Sequence, residues 1–543
     1  MIFKNLLNYI NNFFLFFTKK IRATYVNSSI YNKKISSTNN DHLEYKPNPS
    51  LLDCLIKYDK KRIKIENYSL NAIWNNKNLK EKDYNNLHSF FWLFSLDLKS
   101  SKKNTQNIIL NWIVKNNKYN FKSWKIDIIS KRIIAWISNS KLTYEEGDSN
   151  YKKKFNTAIQ KQINHLINEI EKSEWVEDKM ISCAAIILTG LSYQNKVTYL
   201  NFGLNLLKKI IKSSFDSDGF PKSRNIRQLN FYLKYFVLIR EWLKESQSEI
   251  PEYVDEAIYY MGQAYTFIWQ NNKKNILFNG NQETHSSEFD HYLERLGYKF
   301  KNQNNEMGGY AILNNKKILL IMDVGSSPEK KFSEDYQAGS LSFEIISSGK
   351  KLICNSGYFQ NFKHQLNELS KSTAVHSTLI IDDRSSCKFT KTSNLSSKIS
   401  RGLKITKKNI IFEKNYWKIN AAHDGYLKEY GIVHEREIEF YPEKLKFIGH
   451  DKVLSQKKIK AINYEIRFHL EPGVKIMKTQ DNKSILIELD NEGWKFTCDK
   501  HDINIDNGLY FGKKNSFIEN QNIFISGMTQ NQIQNIKWEL TKL

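Results

Sequence analysis

The sequence predicts a multidomain chain, first α and then β: a helical block followed by antiparallel strands closing as a β-sandwich. Three observations predict it. Apolar residues recur at i, i+3, i+4 and i+7 from about residue 65 to about 295. From about 308 the pattern becomes short apolar or alternating runs separated by turns. The length, 543 residues, exceeds what one hydrophobic core usually organises. An α block followed by a β block excludes an alternating α/β fold. The expected parts are an N-terminal lead-in over 1–60, a helical domain over 61–300 and a strand domain over 301–543. The change of period falls between Gly297 and Tyr310.

Composition narrows the class of protein. Hydrophobic residues make up 40% and aromatics 13%, which excludes a disordered chain. A net charge of +25 suits an acidic partner: anionic polysaccharide, nucleic acid or membrane surface. A general bias toward Lys, Asn and Ile yields the same charge with no functional patch, and turns such as Asn271-Asn272-Lys273-Lys274 show that bias. Cys54, Cys183, Cys354, Cys387 and Cys498 are odd in number and have no CxxC spacing. They form neither a disulfide framework nor a zinc knuckle.

Taken in order, the lead-in contains Phe13-Phe14-Leu15-Phe16-Phe17 flanked by Lys19, Lys20 and Arg22. That run reads as an amphipathic lead-in with peripheral membrane contact, and only weakly as a signal peptide. The compartment is left open between periplasm and cytoplasm. No apolar run reaches the ~18 residues of a transmembrane helix. Ile181 to Leu191, closed by Gly190, reads as a buried helix. Leu200 to Phe215 reads as another, stopped by Asp216-Ser217-Asp218-Gly219. Val254, Ala257, Ile258, Met261, Tyr265 and Ile268 share one helix face. His88 is expected to pack against an aromatic helix face. The strand candidates are Ile318 to Val324, Leu341 to Ile346, Glu437 to Phe440, Leu445 to Ile448 and Ile485 to Leu489.

Three stretches organise the second half. Tyr336-Gln337-Ala338-Gly339-Ser340-Leu341-Ser342-Phe343-Glu344 is a polar loop entering a strand. Cys354-Asn355-Ser356-Gly357 is a turn after Leu352-Ile353. Ser372-Thr373-Ala374-Val375-His376-Ser377-Thr378 precedes the run Leu379-Ile380-Ile381. Loop ends of neighbouring strands converge, so Gln337, Asn355 and His376 are expected to line one site.

In this order and spacing the three stretches resemble the C-terminal domain of the heparinase II/III family of polysaccharide lyases. Further likenesses are Trp124, Ser130, Arg132 and Trp136, the segment Asp218-Gly219 to Ser223-Arg224-Asn225, and His423-Asp424-Gly425-Tyr426. His434-Glu435-Arg436, Arg467-Phe468-His469-Leu470 and Gly493-Trp494 match in kind, so the resemblance spans roughly residues 80 to 543. It implies an (α/α) toroid before the sandwich. It also implies a structural zinc held at the positions of Gln337, Asn355 and His376. Of those ligands only His376 is kept as a metal-binding type, and one histidine with two amides makes a weak zinc site. Gln228 stands at the position aligned with the family's catalytic tyrosine, and Tyr232 lies one turn on. The family's Asn-His motif has no counterpart; Asp178 to Cys183 occupies its place.

The activity implied is β-elimination from a uronate-containing polysaccharide. The uronate carboxylate must be neutralised so that charge developing at the neighbouring carbon is stabilised. One group must take the proton and another must protonate the leaving oxygen. The candidate catalytic residues are His376, Tyr336, Tyr232 and His423. The candidate substrate contacts are Arg224, Asn225, Gln337, Asn355 and Tyr426. Each has a plainer reading: His376 as a core histidine, Gln337 and Asn355 as strand caps, Arg224 paired with a carboxylate such as Asp218, Trp494 as sandwich core. Three functions follow: a lyase of acidic polysaccharide, a lyase-like protein that binds envelope glycan intact, or a binder of nucleic acid or anionic membrane. Charge alone supports the last, since no nucleic-acid motif occurs.

Overall fold

The computed structural model describes residues 17–18, 20–36, 42–56, 74, 79–96, 102–173, 175–193, 197–269, 276–283, 287–392, 396–456, 461–498, 500–513 and 516–543. The expectations placed on Phe13 to Phe16 and on Asn271 to Lys274 lie outside the described residues. The chain divides into two compact units, Met1–Ser213 with Lys234–Glu256, and Ser214–Leu233 with Ala257–Leu543.

The first unit is helical, with Glu81–Ser89, Lys102–Lys115, Ile126–Ser138, Ser149–Glu169 and Val176–Ser192 among its helices. Ile126–Ser138 is buried on nearly every face from Ile128 onward, as a helix apolar all round must be. Its one deep cation, Arg132, donates from Nε to Gln162 Oε1 at 2.7 Å and from Nη1 to the carbonyls of His88 and Ser123. The guanidinium also lies 4.0 Å from the Trp112 ring centroid. His88 stacks on Tyr84 and accepts a 3.0 Å bond from the Trp112 indole N–H. Gly190 does not close its helix, which runs on to Ser192. Its missing side chain instead admits the backbone of Leu200, against which a Cβ would collide.

The second unit is an antiparallel sandwich. One sheet runs Glu306–Met307, Tyr310–Asn314, Ile318–Asp323, Phe343–Ser347, Lys350–Cys354, Asn463–Leu470, Ile518–Met528, Ile503–Tyr510, with Leu379–Ile381 also paired to Asn463–Leu470. The other runs Lys475–Lys478, Ser484–Leu489, Glu492–Cys498, Ile533–Lys542, Lys446–Ser455, Ile432–Tyr441, Trp417–His423, Ile405–Phe412. Their inner faces share one core. Phe343 of the first sheet stacks on Trp538 of the second at 5.6 Å, and Phe468 meets Phe496 at 4.8 Å. Each such side chain, fully buried, stabilises the fold by about 1.5–3 kcal/mol. Trp494 is part of this core.

The strand expected from Leu341 to Ile346 starts later. It begins at Phe343, and every residue through Ser347 is buried. Glu344 is tolerated there because Lys351 Nζ lies 3.1 Å from its Oε2. Its Oε1 accepts the N–H groups of Asn355 and Leu277.

Candidate functional site

The site forms where one strand edge is shared. Asn463–Leu470 pairs with Lys350–Cys354 through His469 and Leu470, and with Leu379–Ile381 through Tyr464, Glu465 and Ile466. The segment before Leu379 fills the gap between the two partners. Thr378 accepts the Arg467 N–H at 3.1 Å, and Ser377 Oγ accepts the His469 N–H at 2.9 Å. This patch leaves His376 buried beside the shared strand edge.

Gln337, Asn355 and His376 are brought into one interlocked neighbourhood. Gln337 Oε1 accepts the Gly280 N–H at 3.1 Å, and its Nε2 donates to the carbonyls of Gly357 and Ser370. Asn355 Oδ1 accepts the Ser377 N–H at 3.0 Å. Gly339 lies against the His376 ring, where a Cβ would come within 2.9 Å of Cγ and Nδ1. A zinc ion does not fit this set. The Gln337 amide is occupied at both ends, and Asn355 turns its oxygen to the backbone. Among the described residues no group of three or more His, Cys, Asp and Glu converges as a metal site.

His376 is buried, and neither ring nitrogen has a hydrogen-bond partner among the described residues. The same holds for Asn355 Nδ2, Ser340 Oγ, Ser356 Oγ and His469 Nδ1. Burial, and secondarily the neighbouring His469, lowers the His376 pKa to about 3. His376 is therefore neutral at physiological pH.

His423 belongs to a second buried cluster. Its Nδ1 accepts the Gly425 N–H at 3.1 Å, and its ring stands edge-on to His434 at 5.3 Å. His434 Nε2 meets Asp451 Oδ1 at 2.8 Å. Arg436 grips the same carboxylate and donates from Nη1 to the carbonyls of Leu341 and Ser377. The cluster thus ties the second sheet to the backbone beside His376.

Arg224 is a clamp. Nε donates to the Gly308 carbonyl, Nη1 to Gly325 and Ser326, and Nη2 to Gly309 and to Asp323 Oδ1. All five N–H groups are thereby taken. Its carboxylate partner is Asp323, not Asp218. A cleft of about 570 Å³ opens beside it, lined by Asp216, Asp218, Lys222, Glu306, Glu329 and Phe332 among others. Its carboxylates outnumber its cations, which makes it a poor match for a polyanion.

The tyrosine candidates are all buried. Tyr232 packs edge-on against Phe215 at 4.8 Å. Tyr336 sits in a small cluster with Ala338, Cys387, Ile399 and Leu403, its hydroxyl accepting from Ser327 Oγ. Tyr426 donates to the carbonyls of Leu379 and Arg384, tying the start of the Leu379–Ile381 strand to the turn after it.

Asn225 leads to residues that carry no motif of their own in the sequence. Its Nδ2 donates to Asp335 Oδ2 at 2.9 Å. Arg227 Nη2 donates to the same oxygen at 2.8 Å, and the Tyr358 hydroxyl donates to Asp335 Oδ1 at 3.0 Å. Asn367 Nδ2 donates to the Tyr358 oxygen at 3.1 Å. Burial, with the Asp335 carboxylate, holds the Tyr358 pKa well above the ordinary phenol value. Amide, guanidinium, carboxylate and phenol thus meet at one point. Asp335 precedes Tyr336 and Tyr358 follows Gly357, so both adjoin motifs already in view.

A helical region followed by this sandwich defines the fold class of the two-domain polysaccharide lyases. The fold is similar to that of heparinase III (14% identity, TM-score 0.67, covering 94% of this chain and 88% of that one). It is also similar to that of a heparan sulfate lyase, HepC, from Pedobacter heparinus (14% identity, TM-score 0.65, 86% and 77%). Residues 303–539 match the family described as heparinase II/III-like, C-terminal. That stretch is a heparinase II/III-like C-terminal domain. No curated protein matches it in sequence. Among the described residues no helix is long and apolar enough to cross a membrane.

Proposed function

We propose that the protein cleaves a uronate-containing acidic polysaccharide by β-elimination, with Asn225, Arg227, Asp335 and Tyr358 as its reacting set. The observation that carries this reading is their convergence on one carboxylate, together with a fold similar to that of solved polysaccharide lyases. The reaction needs a neutralised carboxylate, a proton acceptor and a proton donor. Arg227, whose side chain is 31% exposed, is the member of the set a polyanion meets first. Its guanidinium and the Asn225 amide suit the uronate carboxylate, which takes the place Asp335 now holds. Asp335 then accepts the proton from the carbon beside that carboxylate. The C–H electrons form the new double bond as the glycosidic C–O bond breaks. Tyr358, kept protonated by its buried setting, gives its proton to the leaving oxygen. The phenolate recovers a proton from Asp335 across their shared hydrogen bond.

The test is absorbance of the unsaturated uronate product during incubation with acidic polysaccharides. Tyr358→Phe and Asp335→Asn are expected to lower the rate at least about a hundredfold. A second reading, a glycan binder without turnover, is favoured by one observation: Gln228 stands where the family resemblance expects tyrosine. Binding of a polysaccharide recovered at its original length would select it.

A further inference from the structure

The first described turns of the helical unit expose several large apolar side chains close together in sequence. Residues 20–26 and Ser29–Ile35 form helical turns. Their inner side buries Val26, Tyr31 and Ile35. It is fastened by an Arg22–Glu169 ion pair and by the Tyr31 hydroxyl at 2.8 Å from His165 Nδ1. Their outer side carries Phe17, Ile21, Tyr25 and Ile30, which are 53%, 55%, 40% and 72% exposed. Phe17, Ile21 and Tyr25 recur at i, i+4 and i+8, a single helical stripe. Lys20, Lys33 and Lys34 are exposed around it.

The charge of this end is one-sided. Residues 1–40 contain six Lys or Arg and no Asp or Glu. Exposed large apolar side chains interspersed with lysines, in a stretch without Asp or Glu, are the chemistry of a helix lying in a lipid interface. A nucleic acid calls for the lysines but not the apolar stripe. A second copy of this chain would set one cationic patch against another.

We propose that this face rests on an anionic phospholipid surface, with Phe17, Ile21 and Ile30 in the headgroup boundary and the lysines against the phosphates. The site is separate from the chemistry at Asp335. The test is co-sedimentation of the full chain with vesicles of three parts phosphatidylcholine to one part phosphatidylglycerol, beside vesicles of phosphatidylcholine alone. Binding to the anionic vesicles is expected, and weaker binding to the neutral ones. Phe17→Ser/Ile21→Ser/Ile30→Ser and, separately, Lys20→Glu/Lys33→Glu/Lys34→Glu should each weaken it about tenfold or more, with the far-ultraviolet circular dichroism unchanged. All these substitutions lie on the solvent side, so the fold is retained. No binding to either vesicle overturns the proposal. So does binding that both variants leave unchanged, or self-association of the wild type that the serine variant alone abolishes.

Discussion

Arg224 Nη2 lies 2.7 Å from Asp323 Oδ1, both side chains buried, and the other four guanidinium N–H groups end on main-chain carbonyls. An arginine so placed is positioned to hold loops, not to greet a substrate. A Cβ at Gly309 would come within 2.8 Å of Arg224 Nε, so the glycines around it are the room the guanidinium needs.

Removing Arg224 leaves Asp323 buried without its cation. Arg224→Ala should therefore cost about 3–5 kcal/mol in denaturant unfolding. Arg224→Lys keeps the charge but reaches at most three acceptors, and should cost about 1–3 kcal/mol. In both variants the remaining folded protein should keep its affinity for polysaccharide.

Gln337 stands where the family resemblance places a metal ligand, yet its amide joins Gly280, Gly357 and Ser370 directly. Chelator treatment should leave the melting temperature unchanged. Gln337→Ala should cost about 1–3 kcal/mol, because it leaves buried backbone groups unpaired. A chelator-induced fall in melting temperature would contradict this.

Acid should destabilise the fold through its buried imidazoles. Burial first, and nearby cations or histidines second, lower His88, His165 and His376 to about 3; burial lowers His469 to about 4. An unfolded imidazole takes its proton near pH 6.5. Between that pH and the folded values the unfolded chain binds more protons, so stability falls as pH drops through the window. His376→Gln should flatten the stability slope there by up to about 1.4 kcal/mol per pH unit.

Asp178 acts in the opposite sense. Burial, then Asp127 and Glu177, raise its pKa to about 7. The unfolded carboxyl loses its proton near pH 3.9. Between those values the folded chain binds more protons, so this group lowers stability as pH rises. Asp178→Asn should stabilise the protein by about 1–3 kcal/mol above pH 7 and by nothing near pH 4. Thermal melts at the two pH values check it.

The order of elements was legible because periodicity reports burial. The shift from helical spacing to strands falls between the helix Ser287–Arg295 and the strand Glu306–Met307. The helix Glu252–Trp269 buries Val254, Ile258, Met261, Tyr265 and Ile268, as their spacing requires. Gly190 reads as a stop in the sequence, because the close approach of Leu200 is a tertiary fact with no local signal. The meeting of Gln337, Asn355 and His376 could be read from motif order, but their bonding could not. Asp335 and Tyr358 are silent in the sequence, because an aspartate and a tyrosine twenty-three positions apart carry no spacing signal. Only the fold brings Asn225 and Arg227 to them.

The decisive measurement is the absorbance of unsaturated uronate when the purified protein meets a panel of acidic polysaccharides, with Tyr358→Phe and Asp335→Asn alongside. A rise is expected with at least one glycan, lost in both variants and left intact by a chelator. A rise unaffected by either variant, or a flat trace across the panel with the glycans bound but whole, would contradict the proposed reaction.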